Sequence, residues 1–230
     1  MPLYKTDKGL LYFAHVPLAG GSLFDRYLAE RFGTAALHDP RYSGQPTTAG
    51  ASPVQHIEQQ HFSKMFPQHF LDDALALVRH PTSRVVAAYQ LRQRAAGVSD
   101  FPEFGSWLAE YAELIASDSN KLPCDLRWQS SFLPRECRVF KLEAGLDHLA
   151  DYLDEQFGPA SRELLVMPVA PKADDKTQAA AEQDTSNVSK AAEKPASPVL
   201  TATEHQLIGE IYQKDFTLLK YPTSAPRVVH

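Results

Sequence analysis

The chain has 230 residues, 43% of them apolar, and carries 23 Lys and Arg against 28 Asp and Glu, for a formal net charge of −5. That length can bury the core of one α/β domain, and the mild negative charge argues against general affinity for nucleic acid or an anionic membrane surface. Two cysteines, Cys124 and Cys137, are too few for a disulfide-stapled secreted module and match no zinc spacing, so they read as free thiols and no metal is expected.

Leu10-Leu11-Tyr12-Phe13-Ala14-His15-Val16 is a short, almost unbroken apolar run, the pattern of a strand buried on both faces. Pro17, Gly20 and Gly21 break it. From Ser22 to Phe32, Leu23, Phe24, Tyr27 and Leu28 fall at helical spacing, and Gly33 stops the helix. Thr34 to Ser52 is rich in Pro, Gly, Ser and Thr and reads as loop. Ala74-Leu75-Ala76-Leu77-Val78 is a second buried strand, and a helix with Val85, Val86, Ala88, Tyr89 and Leu91 follows from about Thr82. Asp100-Phe101-Pro102-Glu103 predicts a helix start, with Phe104, Trp107, Leu108, Tyr111 and Leu114 on the buried face. Arg138 to Leu142 is a third strand, and Leu146 to Phe157 an amphipathic helix closed by Gly158. Lys172 to Ser197 is polar and Ala-rich with almost no large apolar residue, and reads as a mobile excursion at about 172–198. Thr201-Ala202-Thr203-Glu204 is a capping box that opens a last helix.

Strands alternating with helices predict a single α/β domain over 1–230, a central parallel sheet with helices on both faces. Ligands of such sheets sit at the carboxyl ends of the strands, where the two loops lie. No run of about 20 apolar residues spans a bilayer. Met1-Pro2-Leu3-Tyr4-Lys5 lacks the apolar stretch of a signal peptide, so a cytoplasmic location is expected.

Two segments carry chemistry. In His15-Val16-Pro17-Leu18-Ala19-Gly20-Gly21-Ser22 a loop rises from a strand into a helix, an arrangement whose backbone N–H groups suit a phosphate or sulfate. It is not a Walker loop, because the Gly-Lys-Ser/Thr ending is absent, which disfavours a P-loop kinase. In Leu77-Val78-Arg79-His80-Pro81-Thr82-Ser83-Arg84, Arg79 directly follows a buried strand and can fork onto a phosphate.

Together these segments resemble the two cofactor-binding motifs of sulfotransferases, in particular the carbohydrate and bacterial branch, which reads His-Ile-Pro-Lys-Thr-Gly-Gly-Thr-Ser and then Val-Arg-x-Pro-x-x-Arg-x-x-Ser-x-Tyr. Arg127-Trp128-Gln129-Ser130-Ser131-Phe132-Leu133, Val139-Phe140-Lys141-Leu142-Glu143 and Tyr212-Gln213-Lys214-Asp215-Phe216, with Tyr221-Pro222 after it, resemble three further stretches of that family in the same order. The resemblance implies a P-loop-NTPase-like fold. It also implies sulfuryl transfer from 3′-phosphoadenosine 5′-phosphosulfate (PAPS) to a hydroxyl of a saccharide or small metabolite. Gly20, Gly21 and Ser22 would hold the 5′-phosphosulfate, Arg79 the 3′-phosphate, and Pro17 would shape the loop; Arg84 and Tyr89 would be structural. The family's motif lysine is Leu18 here, its threonine Ala19, the hydroxyl residue after Ser22 is Leu23, and the 3′-phosphate serine is Ala87. Lys8 and Lys172 are candidate substitutes for that lysine. His56 is the candidate base, in a Pro-Gln-His stretch like that of bacterial members, with His61 and Glu58 as alternatives. His15 reads as structural, and His80 as a residue lining the pocket. Asp125 stands where the family often has His, and Arg127 and Gln129 are candidate acceptor contacts. The alternative function is a catalytically impaired relative that binds a nucleotide, sulfated ligand or protein partner.

Overall fold

The computed structural model describes residues 2–39, 46–47, 53–67, 69–97, 101–117, 122–160 and 197–223. Its first element escapes sequence periodicity: β1 (Leu3–Thr6) forms a hairpin with β2 (Gly9–Ala14). Thr6 Oγ1 closes the turn by donating to the Gly9 carbonyl at 2.9 Å. Gly9 has φ +122°, and a Cβ there would stand 2.0 Å from Asp72 Oδ2, so only glycine fits this approach.

β3 (Asp73–Val78) pairs parallel with β2, and β4 (Arg138–Lys141) pairs parallel with β3, giving one four-stranded sheet in the order β1-β2-β3-β4. Parallel neighbours need long crossovers. Between β2 and β3 the chain forms α1 (Gly21–Phe32) and α2 (Gln59–Met65); between β3 and β4 it forms α3 (Pro81–Ala96) and α4 (Phe104–Ser117). α5 (Asp147–Phe157) follows β4, and α6 (Ala202–Ile211) and α7 (Gln213–Leu218) end the fold.

Side chains alternate across the strands. Leu11, Phe13, Leu75 and Leu77 pack with Phe24 and Leu28 of α1 and Leu149 and Leu153 of α5. Tyr12, Ala14, Ala74 and Ala76 face the other way, onto Phe62 of α2. A third cluster lies beyond the carboxyl ends of the strands, where Val16 and Val78 meet Val85 and Tyr89 of α3, Trp107 and Leu108 of α4, Phe216 of α7, and Tyr212 at the α6–α7 junction. The chain is therefore α/β, with a mostly parallel sheet flanked by helices.

Several boundaries differ from the sequence reading. β2 ends at Ala14, so His15 and Val16 belong to the loop. α4 starts at Phe104 instead of near Asp100, which lies outside the described residues; the Glu103 carbonyl accepts the Trp107 N–H at 3.0 Å, and the Pro102 carbonyl accepts the Tyr89 hydroxyl at 2.9 Å. The capping box at Thr201 and Glu204 forms in full. Of the polar excursion, only Ser197 and Pro198 are described. Both cysteines are free, Cys124 buried and Cys137 half-buried. No helix among the described residues is long and apolar enough to cross a membrane.

Candidate functional site

The loop after β2 is built around two residues in the left-handed region, Leu18 at φ 61° and Gly20 at φ 85°. Between them the Ala19 N–H turns back to the Val16 carbonyl at 3.4 Å. α1 then begins with no side-chain cap and no acidic residue in its first turn. Its first amides are thus left without intrahelical acceptors at the positive end of the helix dipole. A cleft of about 170 Å³ opens there, lined by Gly20, Gly21 and Ser22. Polar side chains reach it from His15, His56 and Asp125, and apolar ones from Pro17, Leu18, Leu23 and Leu91. Ala19, assigned from the motif to the same loop, is instead fully buried in the apolar cluster beyond the strands.

His15 lies against the start of α1. A Cβ on Gly21 would stand 2.7 Å from His15 Cε1 and Nε2, so the ring occupies the space that only a glycine leaves. Asp25, buried on α1, fixes the ring: its Oδ2 is 3.1 Å from His15 Nε2, and its Oδ1 accepts the Tyr4 hydroxyl at 3.2 Å. A carboxylate partner makes Nε2 the N–H, and the enclosed Nδ1 has no partner among the described residues. Sequence reasoning missed this pairing. The one available signal was an aspartate on the buried face of α1, flanked by Phe24 and Leu28.

His56 Nδ1 lies 2.8 Å from the His15 carbonyl, which can only accept, so Nδ1 carries the hydrogen and Nε2 the lone pair. Burial first, and the neighbouring His15 second, push its pKa down to about 3. The ring is therefore neutral at pH 7. The sign for stability follows from the unfolded value near 6.5, since between pH 6.5 and 3 the unfolded chain binds a proton that the folded one refuses. Stability is accordingly lost as pH falls through that window, by roughly 5 kcal/mol from this group in full. Urea titrations at pH 7 and pH 4 check this: His56→Gln should flatten the loss, and an unchanged pH slope would refute it. His80, which burial also shifts downward, supplies a remaining slope of the same sign.

Arg79 leaves β3 half-buried, and desolvation lowers its pKa. Among the described residues its guanidinium donates no hydrogen bond and forms no ion pair. Its backbone is clamped instead: Gln129 Oε1 accepts the Arg79 N–H at 2.9 Å and Gln129 Nε2 donates to the Arg79 carbonyl at 2.7 Å. Gln129 in turn sits on α7, where the Asp215 carboxylate accepts the Gln129 and Ser130 N–H groups at 2.8 and 2.9 Å. Gln129 is thus fully buried with its amide committed at both ends, so it is not placed to contact an acceptor. Arg127 is likewise spent, paired with Glu58 and donating to the Leu122 carbonyl at 3.0 Å. That pairing also occupies Glu58.

Arg84 is 1% exposed and ties the two loops together, its Nε donating to the Pro17 carbonyl at 2.9 Å and an Nη to the Asp125 carbonyl at 3.0 Å. The Asp125 carboxylate at the cleft is matched by a two-pronged contact from Arg92 at 2.7 and 3.0 Å. His80 is buried; its N–H donates to Glu143 Oε1 at 2.5 Å, and its ring packs on Phe216 and Tyr221. His61 is exposed on α2, and Ala87 on α3 does not line the cleft. Lys8 sits in the β1–β2 turn beside Asp72 and Asp73, at the opposite end of the sheet, and so is no substitute for the motif lysine; Lys172 lies outside the described residues. Among the described residues no His, Cys, Asp and Glu group could hold a metal. The structure thus gathers Pro17, Leu18, Gly20, Gly21, Ser22 and His56 at one cleft and leaves Arg79 at the end of the adjacent strand. No family profile matches the chain, and neither a curated protein nor a solved structure matches it.

Proposed function

We propose that the protein binds a nucleotide sulfate donor across the ends of β2 and β3 and transfers its sulfuryl group to a hydroxyl acceptor. One observation carries this reading: adjacent parallel strands end in two separate places for negative charge. These are the uncapped amides at Gly20–Ser22 and the Arg79 guanidinium, which donates no hydrogen bond among the described residues and feels the Glu143 carboxylate only at a distance. Two anionic sites at neighbouring strand ends fit a ligand with phosphate groups at both ends, as in PAPS. The motifs at 15–22 and 77–89 support the same ligand.

The α1 amides and the Ser22 hydroxyl would hold the phosphosulfate, and Arg79 the 3′-phosphate. When bound, the donor supplies the electrophilic sulfuryl group. His56 lines the cleft with Nδ1 turned to the His15 carbonyl, and with its pKa held down to about 3 by burial it would take the acceptor's proton only as a weak base. The fit fails where the family's charged and hydroxyl side chains are missing, at Leu18, Ala19, Leu23 and Ala87. Leu18 brings no charge, and its side chain packs against the apolar cluster. That observation favours the second reading, a binding protein with little or no transferase activity.

Thermal unfolding with 3′-phosphoadenosine 5′-phosphate tests the donor site. At one hundred times Kd a native-state ligand adds about 2.7 kcal/mol, which for a domain of this size raises Tm by about 5–10 °C. Arg79→Ala should weaken that binding about 10- to 100-fold, the worth of charge-assisted hydrogen bonds to a phosphate. No shift at millimolar ligand would sink both readings.

A further inference from the structure

A second cavity, of about 440 Å³, opens at the amino end of β3, the opposite end of the sheet from the α1 cleft. Its origin is local. β3 turns Ala74 and Ala76 toward α2, and α2, seven residues long, meets the sheet through one buried residue, Phe62. Two small side chains facing a short helix leave space that close packing would otherwise fill. The volume falls in the range of roughly 300–1,000 Å³ for small-molecule sites.

Part of the wall is aromatic. The rings of Tyr12, Phe62, Phe66 and Phe70 succeed one another at centroid distances of 4.6, 4.9 and 5.1 Å. The row starts at Tyr12 in the core and ends at Phe70, which is 42% exposed and lines the cavity. Among the described residues no further ring follows Phe70, so a ligand ring can extend the row.

The rest of the lining is acidic on balance. Asp72, Asp73 and Glu136 stand against Arg135, and counting His69 as a cation still leaves carboxylates in excess. Asp73 is committed: its Oδ1 accepts the Ala74 N–H at 2.8 Å and its Oδ2 the Tyr152 hydroxyl at 2.5 Å. Asp72 is not. Its Oδ2 accepts the Leu10 N–H at 2.7 Å, while its Oδ1 accepts no hydrogen bond among the described residues. A carboxylate beside an exposed ring favours an organic cation, which gains from the ring quadrupole and from charge-assisted hydrogen bonds. An anion would meet Arg135 only in the company of three carboxylates.

We infer that this cavity binds an aromatic amine, positively charged at neutral pH, with its ring against Phe70 and its ammonium toward Asp72. The site shares no residue with the α1 cleft and does not depend on the sulfuryl-transfer reading.

Calorimetry on the full chain at pH 7 tests it with three probes. Tryptamine has the ring and the ammonium, indole-3-propionate the same ring with a carboxylate, and butylamine the ammonium without a ring. Tryptamine should bind at least about tenfold tighter than either of the others. Phe70→Ala should cut tryptamine affinity by about three- to tenfold. Asp72→Asn keeps an acceptor for the Leu10 N–H and removes the charge. It should narrow the preference for tryptamine over indole-3-propionate by about three- to tenfold. Both substitutions fall at exposed positions, where the fold tolerates them. Indole-3-propionate binding as tightly as tryptamine would overturn the inference and point to Arg135 instead. Butylamine binding as tightly would overturn it too, as would the absence of tryptamine binding at millimolar concentration. Tryptamine binding unaltered in both variants would place the amine elsewhere on the chain and would equally overturn it.

Discussion

Leu18→Lys is expected to raise sulfate release from the donor by about 10²–10³-fold, the size of one preorganised positive group at a developing oxyanion. Leu18 already lines the cleft, in a loop that Arg84 holds from behind through the Pro17 carbonyl. A lysine stem can lie along the same apolar surface and carry its ammonium toward the α1 amides. Leu18→Met keeps the length without the charge and should give no gain. Some packing is lost in the lysine variant, because the leucine rests against the cluster of Val16, Val78 and Tyr212. Sulfate release by ion chromatography, alongside binding of 3′-phosphoadenosine 5′-phosphate, reads the result. Unchanged release with intact binding would mean that missing charge at this position is not what limits the chemistry.

Arg84→Met should destabilise the fold by about 3–5 kcal/mol, measured by urea denaturation at pH 7. The guanidinium is enclosed, and its two hydrogen bonds reach carbonyls 67 and 41 residues away along the chain. Removing it leaves the Pro17 and Asp125 carbonyls buried without that donor, and an unmade buried hydrogen bond costs more than a made one contributes. Arg84→Lys should recover less than half of the loss, since one ammonium cannot span both carbonyls as the planar fork does. Anion binding should weaken in step, because the same side chain fixes the loop that sets the α1 amides. A variant as stable as the parent would show that the two loops hold without this tie.

The parts of the fold that were legible in the sequence are those with strong local patterning. β2, β3 and β4 came from apolar runs, and α1, α3 and α5 from period-3.6 faces bounded by glycine or proline. β1 was not legible, because Leu3-Tyr4-Lys5-Thr6 is four residues with no clear alternation and owes its pairing to β2. α2 was missed for a related reason: Gln-Gln-His-Phe-Ser-Lys-Met offers one buried residue, Phe62. The cleft loop was legible as a glycine-bearing turn into a helix. Its supporting contacts were not. Gln129 and Arg127 stand in a motif that suggests ligand contact, yet their partners, Arg79 and Glu58, lie 50 and 69 residues away. Composition and spacing carry no information on pairings of that range, which depend on how the parallel crossovers bring the strand ends together.

The clamp on Arg79 has a consequence for how the protein is made. Gln129 is seated by Asp215, 86 residues further on, and Gln129 alone fixes the backbone of Arg79 from the side chain. A chain emerging from the ribosome therefore exposes the α1 amides early, while the arginine beside them gains its seat only when the last helix has been synthesised. On the proposed reading, a product stopped short of Asp215 would carry the α1 amides without the seat of Arg79, and so would lack one of the two anion sites.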